Sequence, residues 1–475
     1  MLTTRYLLLA ALVAASPALA QDATVTVATK DTFPVATVTP RDTAATPADT
    51  QPTRKSTPKV VRYYAPSIEI QHMRPLDQRG LNVFESPKEP GASYTGFKLS
   101  WGGAFAQQFQ NLTHQNTAAP KAGKDAAGKD VNLNALIPIG SGFNNANANL
   151  YLNVQLARGI RVAVETYASA RHHNETWVKD GYFLIDGSPI DSKLLDRIME
   201  VATLKVGHFE VNYGDEHFRR SDNGMTLYNP FVGNFVIDAF TTEIGAEAYL
   251  RKNGYLAMLG MTGGEVKGQV TAPGKRGPSY LAKLGVDKQL TSDIRVRLTG
   301  SMYKKDRSAS GTLTSGDRAG SRYYDVLENV ISTESAQAWS GAIQSGMRNN
   351  VTAFVINPFI KVGGAEFFGN IETMTGAAAG ETNRTLRQLV GEGLYRFAGD
   401  KLYLGGRVNS VHGELAGMAN DISVKRYQAG GGWFVTPNVL SKIEFVRQNY
   451  ENFPTTDIRN GGKFQGFMIE GVVAF

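Results

Sequence analysis

"KFQGFMIEGVVAF", residues 463–475, alternates along its length: Phe467, Ile469, Gly471, Val473 and Phe475 share one face, while Met468, Glu470, Val472 and Ala474 share the other. A period of two means an extended strand with different surroundings on its two sides. Residues 1–20 read differently. A basic start at Arg5, the short apolar run "YLLLAALVAA" and the small-residue end "SPALA" form the pattern of a secretory signal peptide. That run is too short to span a membrane as a helix, and no run of about 18 apolar residues follows. The chain has no cysteine, so disulfides and thiolate metal sites are excluded.

Working outward from the C-terminal strand, similar alternating segments of about ten residues fill residues 94–475, the pattern of a transmembrane antiparallel up-and-down β-barrel. Sixteen segments are predicted: 94–110, 146–157, 159–170, 174–186, 200–211, 239–251, 254–265, 278–287, 292–303, 351–361, 364–375, 386–397, 401–412, 422–435, 438–450 and 463–475. Topology checks the count, because an even number puts both barrel ends in the periplasm, with short turns there and long loops outside. The turns "ARG", "KNG", "KVGG", "AGDK" and "TPN" then fall on one side and the connections 111–145, 212–238, 304–350 and 451–462 on the other. A miscount by one would put 304–350 inside. Two connections on the short side are longer than expected, 285–291 and 187–199, the second reading as a helical turn. Alternation breaks in 200–211 and 438–450, which predicts bulges, and Pro358 weakens its strand. Residues 21–59, rich in Thr, Ala and Pro, are too poor in large apolar side chains to pack a core. Residues 60–93 carry more aromatics and are expected at the periplasmic mouth, so the domains read as 1–20 signal peptide, 21–93 periplasmic tail and pre-barrel segment, and 94–475 barrel.

A signal peptide together with a last strand ending in Phe475 resembles bacterial outer-membrane β-barrels, and the resemblance implies a Gram-negative outer membrane, contact with its lipid and lipopolysaccharide, and a C-terminal strand read by the barrel-insertion machinery. Fifty glycines, 10% aromatics and a mean hydropathy of −0.24 fit such a barrel. More narrowly, "LKVGHFEVNYG" (204–214) and "KRYQAGGGWFVTPNVLSKIEF" (425–445) look like the Gly-x-Phe strand and the penultimate hairpin of the phosphate-selective porins of the O and P type. Asn212 departs from that family, which often has proline there. The family's phosphate-binding Arg and Lys match no positions here, so none is carried over. Homotrimers are common among porins, but no lipid-facing patch is distinctive enough to assign one.

The chemistry concentrates in "VNYGDEHFRRSDNG", residues 211–224. In sixteen-strand porins the third external loop folds into the barrel and sets its constriction, and 212–238 is that loop here. Asp215, Glu216, His217, Arg219, Arg220 and Asp222 are expected at the narrowest point, with acids and bases setting a field across it. Gly224, Pro230 and the aromatics after them would let the loop turn and lie against the wall. The plainer alternative is that Arg219 and Asp222 only pin the loop by salt bridges. Asp215, Glu216 and His217 make a poor metal set, because three adjacent residues seldom converge on one ion and no second His lies at helical spacing. "SDN" at 221–223 lacks the downstream Lys-Thr-Gly of a β-lactamase. A hydrolase using Ser221 and His217 is also disfavoured, so no enzyme, cofactor or metal is assigned.

The strand registers also sort the wall. Arg161, Lys205, Lys283, Arg295, Arg297, Arg396, Arg407, Arg426 and Lys442 should face inward, as should Glu165, Glu243, Glu247, Glu366, Glu372, Glu392, Glu444 and Glu470. The two sets nearly cancel, which argues against strong phosphate selectivity. A formal net charge of +7, falling to +6 when Arg5 leaves with the signal, is too mild for a nucleic-acid partner. A sixteen-strand barrel is too wide for its own side chains to fill, so it is a channel unless plugged. The expected function is a porin, a passive channel for small hydrophilic solutes or ions with weak anion preference. The alternatives are a phosphate-selective channel, or a non-conducting barrel acting as an adhesin or anchor, with the loop 304–350 as a surface interaction element.

Overall fold

The computed structural model describes residues 70, 73–85, 88, 94–169, 176–265, 274, 276–308, 310–314, 322–333 and 341–475. The expected signal peptide, the stretch 21–59, and parts of 60–93 and 304–350 lie outside the described residues.

Sixteen antiparallel strands close into a barrel. They are β1 (Lys98–Gln115), β4 (Gly142–Ala157), β5 (Ile160–Ser169), β6 (Thr176–Ile185), β7 (Ala202–Glu210), β8 (Thr242–Lys252), β9 (Tyr255–Thr262) and β10 (Ser279–Gln289). The ring continues through β11 (Ile294–Lys305), β12 (Asn350–Val362), β13 (Ala365–Ala377), β14 (Arg384–Phe397), β15 (Leu402–Gly413), β16 (Ile422–Thr436), β17 (Val439–Glu451) and β18 (Lys463–Ala474). A small hairpin, β2 (Ala122–Lys124) with β3 (Asp130–Asn132), stands in the first long connection, and sequence alternation did not reveal it. Closure comes from β1 on β18, from Ala104 opposite Ala474 to Gln115 opposite Lys463. No strand edge is then left facing lipid, where an unpaired backbone group would cost several kcal/mol.

The faces sort as alternation predicts. Leu150, Leu152, Leu156, Leu298, Val473 and Phe475 are exposed on the outside, and Arg297, Met468, Glu470 and Val472 are buried inside. Trp101, Tyr255, Tyr395, Trp433 and Phe475 stand exposed near the short-turn end, an aromatic girdle of the kind that sits at a membrane interface. The connection 187–199 contains α1 (Lys193–Met199), capped by the Ser192 hydroxyl, which accepts from the Leu195 N–H at 3.4 Å.

Two local expectations are corrected. Strand β7 pairs with β8 without a register shift, and β17 pairs with β18 without one. The irregularities lie instead at Gln107/Phe109, Gln155/Ala157, Glu165/Thr166 and Phe434/Thr436. Pro358 does not end its strand. The β12–β13 ladder skips Asn357 and Pro358, the Asn357 side chain donates to the Gly369 carbonyl at 3.0 Å, and Gly369 leaves room for the proline ring, since a Cβ there would lie 2.8 Å from Pro358 Cγ.

The bore is not open space. Loop 212–238 is buried inside it almost throughout, residues 73–85 enter it from the short-turn end, and Tyr323, Val326, Leu327, Ile343 and Met347 pack into it from the long-loop end. Two described parts of 304–350, around Tyr323–Leu327 and Ile343–Met347, turn inward, with Tyr323 donating to Glu444 at 2.6 Å and the Ile343 N–H donating to the Val236 carbonyl at 2.8 Å. Val330 and Ile331 of the same connection are exposed, and residues 315–321 and 334–340, part of the expected surface element, lie outside the described residues.

Candidate functional site

The loop leaves β7 through Asn212, whose N–H donates to Glu247 at 2.8 Å and whose amide donates to Glu85 at 3.0 Å. The Asn212 side-chain amide oxygen accepts from Lys283 at 2.7 Å. Proline could supply neither the N–H nor the amide, so the departure from the resembled family is built into the structure. Gly214 follows in the left-handed region at φ 73°, where a Cβ would sit 3.3 Å from Val355. Farther on, a Cβ on Gly224 would come within 2.8 Å of Ala148 Cα and the Ala104 carbonyl, so the loop backbone lies directly on the wall.

Each candidate residue meets its own partners. Asp215, fully buried, accepts from Arg297 Nε and Nη2 and from Thr299, each at 2.8 Å, and pairs with Lys283 at 2.8 Å. Arg219 pairs with Glu392 at 2.5 Å and lies 5.0 Å from the Phe368 ring centre. Arg220 grips Asp238 with two bonds, 2.7 and 2.6 Å, and reaches Asp222 at 2.9 Å. Asp222 in turn accepts from Tyr167 and pairs with Lys179 at 2.8 Å. His217 Nε2 lies 3.0 Å from the Asn212 amide oxygen, its ring 3.7 Å from that of Phe218, and burial holds its pKa well below the usual histidine value. The Glu216 carboxylate accepts a long bond from the Phe235 N–H at 3.4 Å. Burial first, then the nearby Asp238 and Glu372, push its carboxyl well above the usual range.

These charges do not confront one another across the bore. Asp215 is neutralised by β10 and β11, Arg219 by β14, and Asp222 by β6. The geometry is that of the pinned loop. Asp215, Glu216 and His217 diverge to different partners, and among the described residues no group of His, Asp and Glu is arranged to hold a metal. Ser221 bonds to Val232 and Asn229, and His217 to Asn212.

The inward charges of the wall are all in the lumen: Arg161 with Asp186 at 2.9 Å, Lys205 with Glu247 at 3.8 Å, Arg295 with Asp287 at 2.7 Å, and Arg407 with Glu392 at 2.6 Å. Arg426 donates to the Asn234 and Gly341 carbonyls, tying both inward loops to β16. Sequence reading missed Lys179, which pairs with Glu165, Glu210 and Asp222 at 3.2, 2.8 and 2.8 Å. It is the extra residue of the bulge where Glu165 faces Asp180 and Thr166 faces Val178, so Lys179 and Asp180 both point inward. The adjacent opposite charges of "VKDG" were the available signal. Asp238, Asp287, Lys305 and Glu85 were missed as well.

Space within the described residues is uneven. A void of about 10 Å³, room for one water, is lined by Glu216, Arg219, Arg220, Phe235, Glu392 and Arg407. A cavity of about 470 Å³ opens at the short-turn end among Glu85, Arg251, Asp287, Arg295 and Arg297.

No protein-family model matches the chain, and no curated protein does. Among solved structures, the anion-selective porin from Comamonas acidovorans aligns with a TM-score of 0.50 at 10% identity over 80% of this chain and 100% of that one. The fold is that of an outer-membrane porin. The outer membrane channel DcaP of Acinetobacter baumannii aligns at 0.47 with 9% identity over 80% of this chain and 98% of the channel. OmpT of Vibrio cholerae aligns at 0.46 with 10% identity over 80% and 98%. The apolar outer belt is the surface that a barrel of this fold turns to lipid.

Proposed function

We propose that the chain is a passive channel for small hydrophilic solutes or ions, with weak anion preference, constricted by loop 212–238 at Asp215, Glu216, His217, Arg219, Arg220 and Asp222. One observation carries the reading: the loop sits inside a wall of alternating cations and carboxylates and is fixed to it by polar contacts as well as by buried apolar ones. Val232 donates to Glu444, Val236 to Asn409 and Ile237 to Gln388, at 2.7, 2.6 and 2.8 Å, while Lys442 donates to the Thr226, Asn229 and Phe231 carbonyls at 2.9 to 3.1 Å. A pore lining of this kind exchanges its bonds with water when it opens. Because nearly every lumen cation is met by a carboxylate, selectivity is weak and phosphate gains no dedicated site.

The test is the reversal potential of the purified protein in a planar bilayer under a KCl gradient, repeated with phosphate. Step conductances with a small anion-side reversal and no phosphate block are expected, and strong selectivity with block would replace this reading by a phosphate channel. The tight void at Arg219 and Arg220 favours a second reading, a barrel that does not conduct and serves as an anchor or adhesin. Silence under all conditions would select it.

A further inference from the structure

The pre-barrel residues 73–85 cross the short-turn end of the bore from one wall to the opposite one. At one side Leu76 lies against β1, its Cδ1 2.8 Å from where a Cβ on Gly102 would stand. At the other, Asn82 accepts at its carbonyl from Arg295 at 2.9 Å, and Glu85 pairs with Arg297 at 2.7 Å, both on β11. In the closed ring of sixteen, β1 and β11 are eight strands apart whichever way one counts, so the segment spans the diameter. Between these ends the Gln78 N–H donates to the Pro437 carbonyl at 2.8 Å, and Asn82 donates to Glu366 at 3.0 Å. Phe84, 3% exposed, packs edge-on against Phe218 and Phe359 at 5.9 and 5.6 Å.

The segment also touches the constriction loop directly. Arg74 lies 3.5 Å from the centre of the Tyr228 ring, Tyr228 donates to the Pro75 carbonyl at 2.5 Å, and Arg219 donates to Asn82. Its attachment is of a kind that can be released. It forms no ladder with any barrel strand, only a single 3-10 turn (Gln78–Gly80), and its anchors are side-chain bonds, ion pairs, apolar and aromatic contacts and one backbone bond to Pro437. All sixteen barrel strands follow it in the chain, so it is joined to the barrel at one end alone, whereas loop 212–238 is joined at both.

We propose that residues 73–85 are a removable plug, an intrachain gate that closes the short-turn mouth and braces loop 212–238, and whose withdrawal opens the conducting path. This rests on the channel reading. The occupant of the mouth is the chain's own segment, and opening exchanges the ion pairs of Glu85 with Lys283 and Arg297, and the bond from Arg295 to the Asn82 carbonyl, for water or a passing solute.

The test compares single-channel conductance of the full chain with two variants in the same lipid. The first, Arg74→Ala/Phe84→Ala/Glu85→Gln, removes anchors at three points; the second, Gln78→Cys/Pro437→Cys, uses the cysteine-free background to lock the plug by oxidation. The full chain is expected to open rarely. The release variant should raise the mean current roughly tenfold or more, because the loss of one desolvated cation–aromatic or charge contact already shifts a two-state equilibrium that far. Oxidation of the cysteine pair should abolish openings and reduction restore them, a comparison within one folded protein. Equal and large currents in all forms would overturn the plug and leave the channel reading standing. A release variant that is folded, judged by its compact unheated band on a denaturing gel, yet as silent as the full chain would also overturn it. Adding Arg219→Ala/Arg220→Ala to that variant then separates the two ideas: current would keep the channel with the loop as its closure, and continued silence would remove the channel as well.

Discussion

Arg219 and Arg220 are neighbours with the same charge, and their surroundings make them unequal. Removing Arg220 strands Asp238, 1% exposed, after the loss of a two-pronged partner, which typically costs about 3 to 5 kcal/mol. Removing Arg219 leaves Glu392 still paired with Arg407 at 2.6 Å. Arg220→Ala should therefore lower the urea midpoint of the detergent-solubilised barrel far more than Arg219→Ala, and equal losses would mean that the loop is not held this way. Glu216 gives a prediction with a definite sign. Its folded pKa is raised by burial, so the docking it permits is fully present below the unfolded value and is lost as pH rises through the folded one. Glu216→Gln should raise thermal stability at pH 8 and do little at pH 4; a gain of the same size at both would show that the carboxyl is not the cause. The residue types of this stretch were plain in the sequence. Their partners were not, because a carboxylate in a chain of alternating charges does not name which cation will reach it.

At the scale of the strand, alternation succeeded wherever pairing is regular and failed where one residue is added. Lys179 shows the failure: a single extra residue in β6 turns two successive charges to the same face, and period-two reading cannot see that without the partner strand. Pro358 shows the opposite error. A proline inside a strand argues against the strand, yet here Gly369 yields the space and Asn357 donates the bond the proline cannot. Gly369→Ala should accordingly destabilise the barrel by about 1 to 3 kcal/mol through overpacking, and adding Pro358→Ala should recover most of that loss. If the two losses simply add, the two residues do not share the strain. The check is equilibrium unfolding of the singles and the double.

For the whole molecule, closure and filling are separate problems. Closure is finished by the last residue: the Phe475 N–H donates to the Gly103 carbonyl, the Gly103 N–H donates back, both at 2.9 Å, and the Phe475 ring meets Trp101 edge-on at 6.5 Å. Deleting Phe475 should lower the folded fraction recovered from outer membranes, read as the compact unheated band on a gel; unchanged recovery would show that the seam closes without it. Filling is done by three separate stretches, 73–85, 212–238 and the inward part of 304–350; the first meets the second where Arg219 donates to Asn82, and the third meets the second where Arg322 donates to the Ser221 carbonyl. By itself the sequence determined the strand number, the inner and outer faces and the charge balance of the wall, since each follows from side chains alternating along a covalently extended backbone. Only the tertiary structure decided that the bore is filled and that its charges are paired. Those contacts, Glu85 with Arg297, Arg219 with Glu392 and Asp222 with Lys179, join positions far apart in the chain, and strand register, bulges and loop paths select them among many electrically equivalent partners.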